Sequence, residues 1–262
     1  MPRFSNAFIT GASSGIGREL ARLLAAQGTR VVVAARRESE LSSLAAEIAA
    51  QGGRADVCPL DVTDTAATRA AVQRWEAETG GLDLVVANAG AGVTRPAAKL
   101  RWQDIEPVLQ VNVLGAFATL QPAIGPMVAR RRGTLVGVSS LGALRGLPTS
   151  GAYAASKAAL ATFLETLRLD LAGTGVAVVD VRPGFVDTAM SRLNRFKMPF
   201  LLQAADAAQR ALRGIERGQA VVSFPWPTAL AMETLESLPD PIYRALLSGW
   251  RPRGGARPRD AK

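Results

Sequence analysis

Short apolar runs rich in β-branched residues alternate along this chain with longer segments whose apolar positions recur at helical spacing. Phe4–Thr10 reads as a strand, Gly15–Gln27 as a helix and Arg30–Ala35 as a second strand. Over Glu38–Gln51 the apolar residues fall at 41, 44, 45 and 48, one face of a helix. A strand at Arg54–Leu60, a helix at Thr65–Glu78 and a strand at Leu82–Ala87 follow. A long helical segment, Arg101–Arg131, leads to the strand Thr134–Ser139. Tyr153–Ala172 is helical, Val176–Val181 is a strand, and Gln219–Phe224 reads as the last one. Runs such as Val31-Val32-Val33 and Leu84-Val85-Val86 are apolar at consecutive positions, so both faces of these strands are covered. The pattern predicts an α/β fold, a doubly wound parallel sheet with its ligand at the carboxyl ends of the strands.

At 262 residues one large domain is expected over 1–250, with a C-terminal helical extension through Pro239 to Trp250. Residues 251–262 are Arg-rich and read as a disordered tail. Nearly half the chain is apolar (48%), enough for a sizeable core. The single cysteine, Cys58, cannot build a disulfide framework, so no oxidising compartment is implied. Histidine is absent, which removes histidine triads and most zinc sites, and no metal is expected. The formal charge of +9 sits in local runs such as Arg130–Arg132 and in the tail. These read as a solvated helix end and a solvated terminus, not as a nucleic-acid face. Met1-Pro2-Arg3-Phe4-Ser5 leads straight into the first strand, so no signal peptide is expected. No uninterrupted apolar run reaches the ~18 residues of a membrane span. The expectation is a cytoplasmic protein.

The first strand runs into Thr10-Gly11-Ala12-Ser13-Ser14-Gly15-Ile16-Gly17. Glycines here permit a tight turn and close approach of backbone to phosphate, and the following helix start offers free N–H groups to a pyrophosphate. This is the dinucleotide-binding, Rossmann-fold form of the sheet. The second strand ends in Ala34-Ala35-Arg36-Arg37, where an NAD enzyme usually carries an acid for the ribose 2′-hydroxyl. A guanidinium holds a 2′-phosphate by paired charge-assisted hydrogen bonds. The residues therefore predict NADP(H), with Arg36 the main contact and Arg37 a second.

Tyr153 and Lys157 stand four apart, on one helix face one turn from each other. A nearby ammonium stabilises phenolate and lowers the tyrosine pKa toward a useful range, so Lys157 is placed to tune Tyr153 as the proton donor. Ser139-Ser140 closes the strand before it, Asn112 lies inside the long helix, and Asn88-Ala89-Gly90 closes the fourth strand.

Taken together, the chain resembles the short-chain dehydrogenase/reductase family over about residues 4–190. The matching elements are the glycine turn at 10–17, Asp61, Asn88-Ala89-Gly90, Asn112, Ser140, Tyr153 with Lys157, and Pro183-Gly184 with Thr188. The resemblance implies that Ser140 polarises a substrate carbonyl, Tyr153 protonates it, Lys157 holds the nicotinamide ribose and Asn112 supports a water-linked proton relay. It also implies cofactor contacts from Gly11, Ser13, Ser14, Gly15, Ile16 and Gly17, and from Asp61, Val62, Asn88, Ala89 and Gly90. Tyr153, Lys157, Pro183, Gly184, Val186 and Thr188 complete that set. For Asn88, bracing of the sheet is as good a reading as direct contact.

Past Thr188 the pattern departs from the family. Many relatives end in Asp-Gly-Gly within a tetramer interface, whereas this chain continues through Phe224-Pro225-Trp226-Pro227. A homodimer through the helices at 101–131 and 153–172 is expected, a tetramer being the alternative. Trp226, Leu230, Leu235, Tyr243, Leu246 and Trp250 are open to packing, substrate cover, another interface or a membrane surface. Substrate contacts are expected from Ser140, Leu141, Leu147, Tyr153, Phe185 and Met190, with Val93, Thr94 and Ala143 at the crevice mouth. A lid over 188–203 carries Met190, Leu193, Phe196, Met198, Phe200 and Leu201. Arg145, Arg192 and Arg195 are read as exposed lid residues, with an anionic substrate group as the other reading. The function expected is NADPH-dependent reduction of a small-molecule carbonyl, a lipophilic ketone or aldehyde. The alternatives are a 3-oxoacyl thioester reductase and a non-catalytic NADP(H) sensor.

Overall fold

The computed structural model describes residues 3–193 and 198–248. Among these, the strands are β1 (Asn6–Thr10), β2 (Arg30–Ala35), β3 (Arg54–Pro59), β4 (Leu84–Ala87), β5 (Gly133–Val138), β6 (Val176–Pro183) and β7 (Val221–Phe224). They form one parallel sheet in the order β3-β2-β1-β4-β5-β6-β7. The chain runs outward from β1 to β3, then crosses back to lay β4 on the other side of β1. The connections after β1 and β4 therefore leave in opposite directions and open a crevice at the carboxyl ends of the strands.

Alternate strand residues feed two separate cores. Ile9, Val33, Val136 and Val179 meet α1 (Gly15–Ala26), α2 (Glu38–Ala50) and α7 (Ala204–Glu216) through Leu24, Leu44 and Ile215. Phe8, Val32, Leu135 and Val178 meet α3 (Thr65–Glu78), α5 (Ala116–Ala129) and α6 (Gly151–Asp170) through Trp75, Met127 and Leu164. Each large apolar side chain so buried contributes about 1.5–3 kcal/mol, which makes these two layers the main source of stability. The expected doubly wound sheet is what forms.

Several elements differ from the sequence reading. The segment expected as one helix over 101–131 is α4 (Trp102–Leu109), a π-helical turn over Gln110–Gly115, and then α5. The turn admits an extra residue and swings Asn112 inward, a device π-helical turns commonly serve. By length and composition the run Trp102–Ala129 is apolar enough to cross a membrane, but half of its apolar window is buried in the fold. Helix α7 is absent from the sequence reading although its pattern is regular, with Ala207, Ala208, Ala211, Leu212 and Ile215 on one face and Asp206, Gln209, Arg210 and Arg213 on the other. The small alanines suit a helix pressed against α1. In the run Arg130–Arg132, the last two residues are exposed at the end of α5, as expected, while Arg130 is half-buried. Arg130 is bound to the Glu76 carboxylate and the Leu82 carbonyl, and Arg132 to Asp83 at 3.0 Å.

The C-terminal extension is two short helices, α8 (Trp226–Ser237) and α9 (Asp240–Ser248). Ala229 and Met232 pack on Leu141, with Leu144, Leu147 and Leu235 around them. Trp226, Leu230 and Leu246 stand exposed on the outer side, while Tyr243 is buried; Trp250 and the tail lie outside the described residues. Arg145 is neither an exposed lid residue nor free for an anionic substrate. Its Nη1 donates to the carbonyls of Leu235, Glu236 and Leu238 at 3.0, 2.9 and 2.6 Å. Its guanidinium also lies 4.0 Å over the Tyr243 ring and 3.6 Å from Asp240. A cation on the last carbonyls of α8 satisfies groups that no helix can satisfy itself and complements the negative end of the helix dipole. Arg145→Ala is expected to destabilise the fold by about 2 kcal/mol, read by urea unfolding; an unchanged midpoint would show that the C-terminal pair docks without it.

Candidate active site

At the carboxyl ends of the strands lies a cleft of about 1360 Å³. That exceeds the roughly 300–1,000 Å³ of a pocket for one drug-sized molecule, so there is room for two partners side by side. One end begins at the turn after β1. Gly11 has φ of +69°, and a Cβ there would lie 2.7 Å from the Ala89 Cα. A Cβ on Gly17 would lie 2.4 Å from the Asn88 Nδ2. The backbone thus approaches β4 as closely as chain can approach chain, and the cradle is one that side chains would fill. Gly11, Ser13, Ser14, Gly15 and Ile16 line the cleft, whereas Gly17 sits beneath the turn.

Asn88 braces. Its Nδ2 donates to the carbonyls of Thr10 at 2.9 Å and Gly11 at 3.3 Å, joining the ends of β4 and β1. Arg37 reaches over the turn, with Nη2 3.0 Å from both the Ser13 and Ser14 hydroxyls. Arg36 is exposed and stands 3.8 Å from Asp61. Arg37 is thus bonded to the glycine turn itself, while Arg36 stands beside Asp61. Asp61 accepts from the Thr63 N–H at 3.0 Å and its hydroxyl at 2.9 Å, and these bonds hold its carboxyl below the ordinary range. Val62, Ala89 and Gly90 complete this part of the wall, with Pro183, Gly184 and Val186 opposite. Thr188 faces the turn closely enough that a Cβ on Gly15 would be 3.0 Å from its methyl.

Ser140, Tyr153 and Lys157 meet at the middle of the cleft. Ser140 caps the short turn after β5, accepting the Gly142 N–H at 3.0 Å. Tyr153 lies in the first turn of α6, its ring partly open to the cleft. Desolvation pushes its phenol above the ordinary value, and a hydrogen bond with Ser140 draws it back down. The lowering expected from Lys157 is replaced here by that of Ser140. Lys157 is buried, donates from Nζ to the Val138 carbonyl at 2.7 Å, and is itself lowered to about 8 by its burial, against the pull of the Asp180 charge. Asn112 does not line the cleft. It is fully buried behind it, donating to the Ala91 carbonyl and the Ser156 hydroxyl at 2.9 Å and accepting the Ala91 N–H at 2.8 Å. A phenol kept protonated in a dry wall, next to a hydroxyl that can share its hydrogen bond, is arranged to give a proton to an oxygen bound in front of it.

The far end is apolar. Leu141, Leu147, Phe185 and Met190 line it as expected, with Val93 and Thr94, while Ala143 does not. The sequence reading missed Thr228, Ala231 and Met232 of α8 and Leu247 of α9. It had singled out the large residues Trp226, Leu230 and Leu246, which occupy the outer side. After β6, Val186 bridges to Leu202 and the Asp187 N–H donates to the Leu202 carbonyl at 2.8 Å. Met190 and Pro199 turn into the cleft, while Phe200 and Leu201 are exposed. Arg192 is exposed and paired with Asp187. Arg195 and Phe196 lie outside the described residues, as does the side chain of Leu193.

Residues 5–198 match the family model described as short chain dehydrogenase. An uncharacterized oxidoreductase of Myxococcus xanthus (strain DK1622) is 48% identical over 242 residues, covering 92% of this chain and 96% of that protein. An alcohol dehydrogenase from the archaeon Thermococcus sibiricus, complexed with 5-hydroxy-NADP, is 28% identical with a TM-score of 0.75 over 84% of this chain and 94% of its own. A short-chain dehydrogenase from Sphingobium yanoikuyae in complex with NADPH reaches a TM-score of 0.79 over 96% of this chain and 98% of its own. At 24% identity, that last likeness speaks for the fold alone.

The buried ammonium has a thermodynamic signature. Lys157 releases its proton near pH 8 when folded and near 10.5 when unfolded. Between those values the unfolded chain binds more protons, so stability rises with pH. Lys157→Met has no such group. Its stability relative to the parent is expected to fall by about 3 kcal/mol between pH 8 and 10.5, measured by urea unfolding. A difference that does not vary with pH would mean that the ammonium is solvated.

Proposed function

The chain belongs to the short-chain dehydrogenase family of oxidoreductases, and on that premise we propose that it is an NADPH-dependent reductase of a lipophilic ketone or aldehyde. The observation that carries the reading is the meeting of Ser140, Tyr153 and Lys157 along one cleft whose other end is the glycine turn. The glycine cradle, Asp61, Arg36 and Arg37 would hold the dinucleotide, which when bound supplies the hydride. Ser140 donates a hydrogen bond to the carbonyl oxygen and fixes its direction. Tyr153 gives that oxygen a proton as negative charge develops on it, a transfer typically worth 10²–10⁴ in rate. The Lys157 ammonium holds the ribose end and keeps positive charge below the phenol as it becomes phenolate. Asn112 works from behind, holding the Ala91 backbone and the π-helical turn in place.

NADPH is favoured by the two guanidinium groups beside the turn, where an acid would repel a 2′-phosphate. The 5-hydroxy-NADP bound by the Thermococcus sibiricus relative supports the same choice. The apolar far wall supports a lipophilic substrate. For a 3-oxoacyl thioester the reading loses one cation, since Arg145 is committed to the carbonyls at the end of α8. A homodimer through the segment 101–131 and α6 fits the exposure of Leu114 in the π-helical turn and of Leu169 on α6.

Tyr153→Phe is expected to abolish turnover of a panel of ketones and aldehydes while NADPH binding stays within twofold or so of the parent, since the phenol adds about one hydrogen bond. Retained turnover would sink the mechanism. Replacing Arg36 or Arg37 by Ala should weaken NADPH roughly tenfold and leave NADH nearly unchanged. Equal efficiency with the two cofactors in the parent enzyme would overturn the cofactor assignment.

A further inference from the structure

Beneath the cleft lies a charged group that the reaction as just described does not use. Asp180, on β6, is fully buried. Its register partner on β5 is Gly137, and paired residues on neighbouring strands present their side chains to the same face. That face is the one covered by α6, because a Cβ on Gly137 would lie 2.5 Å from Leu164 Cδ1. Asp180 therefore points at the helix carrying Tyr153 and Lys157, beside a strand position left without a side chain. Its Oδ1 accepts the Ser139 hydroxyl, and its Oδ2 accepts Arg182 Nε at 2.6 Å. Ser139 is also held through its N–H to the Val181 carbonyl at 2.8 Å, and the next residue is Ser140.

The groups around Lys157 can be named element by element. Tyr153 comes from its own helix, Ser139 and Ser140 from the end of β5, and Asp180 from β6. From the π-helical turn comes Asn112, since a Cβ on Gly90 would lie 3.6 Å from both Asn112 Oδ1 and Lys157 Nζ. Asp180 in turn bears on Lys157 of α6 and accepts Arg182 of its own strand. Arg168 is engaged by the carbonyls of Val178 and Ala220 at 3.1 and 2.6 Å. Among these groups Asp180 is the carboxylate whose charge bears on Lys157.

We propose that Asp180 is a positioning residue of the reductase, holding the Ser139–Ser140 corner in place and serving as the counter-charge for the Lys157 ammonium. The inference rests on the functional reading above. A cation taken out of water without a counter-charge costs several kcal/mol, so a lysine this deep needs a carboxylate or loses its proton. Burial already lowers Lys157 to about 8, and the Asp180 charge opposes that fall. Arg182 shares the same carboxylate and weakens its hold on Lys157.

Two substitutions should therefore move Lys157 in opposite directions. The lysines of the chain are Lys99, Lys157, Lys197 and Lys262, few enough for the buried Nζ to be singled out by ¹⁵N NMR of the full chain. In Asp180→Asn, which keeps shape and removes charge, its titration midpoint should drop by about one unit. In Arg182→Ala, which releases the carboxylate from its competing partner, it should rise. The basic limb of the kcat profile for ketone reduction with NADPH should move with the midpoint in each. Ser139→Ala, which removes the hydrogen bond and keeps the charge, should lower kcat several-fold and leave the midpoint where it is. An unchanged midpoint in both charge variants overturns the proposal, as does an Asp180→Asn enzyme changed only in thermal stability. Should Asp180→Asn fail to fold, the direction of the Arg182→Ala shift decides. If the parent reduces no carbonyl, the functional reading fails, while the lysine titration still tests the counter-charge.

Discussion

The amide of Asn88 reaches from the end of β4 to the carbonyls of Thr10 and Gly11, and the turn after β1 accepts it only because residues 11 and 17 carry no side chain. A Cβ at either position would collide with the β4 end or with Asn88 itself. This close approach sets the depth of the crevice and aims the start of α1 at it. The sheet order makes the contact available, since β1 and β4 are neighbours although far apart in the chain. The arginines after β2, Asp61 after β3 and the serines after β5 then fall around one opening because their strands end at the same edge.

Behind Ser140 and Tyr153 runs a layer of buried polar side chains, each with a partner. Asn112 holds Ala91 and Ser156, Ser156 donates to the Tyr153 carbonyl, Lys157 to the Val138 carbonyl and Ser139 to Asp180. In a low-dielectric interior such groups are costly alone and rigid when satisfied. The rest of the face of the sheet covered by α5 and α6 is packed with Leu120, Leu135, Leu160 and Leu164. Polar character is thus confined to the end of that face where Tyr153 stands, and the apolar remainder supplies the stability that the buried charge of Lys157 draws down.

The other end of the cleft is built by a part of the chain that the family pattern does not describe. Helices α8 and α9 place small and flexible side chains, Ala231 and Met232 among them, toward the opening and keep Trp226 and Leu230 outside. Arg145 ties both helices to the loop after β5, the same loop that begins with Ser140. The apolar end of the cleft and the Ser140–Tyr153 corner are therefore parts of one packed unit.

What the sequence determined by itself is what depends on near neighbours along the chain. Consecutive valines report a strand covered on both faces, glycines at 11, 15 and 17 report a turn against phosphate or backbone, and a four-residue offset puts Tyr153 and Lys157 on one face of α6. The strands, most of the helices, the position of the cleft and most of its lining were legible on that basis. Tertiary structure alone decided the rest. Ser139 and Asp180 are 41 positions apart, and Arg145 and Leu235 are 90 apart. Nothing in local periodicity says which distant carbonyl or carboxylate a side chain will meet. The π-helical turn around Asn112 belongs to the same class, since it is held by the Ala91 backbone. Spacing along the chain encodes which face a residue occupies; the sheet order encodes what it finds there.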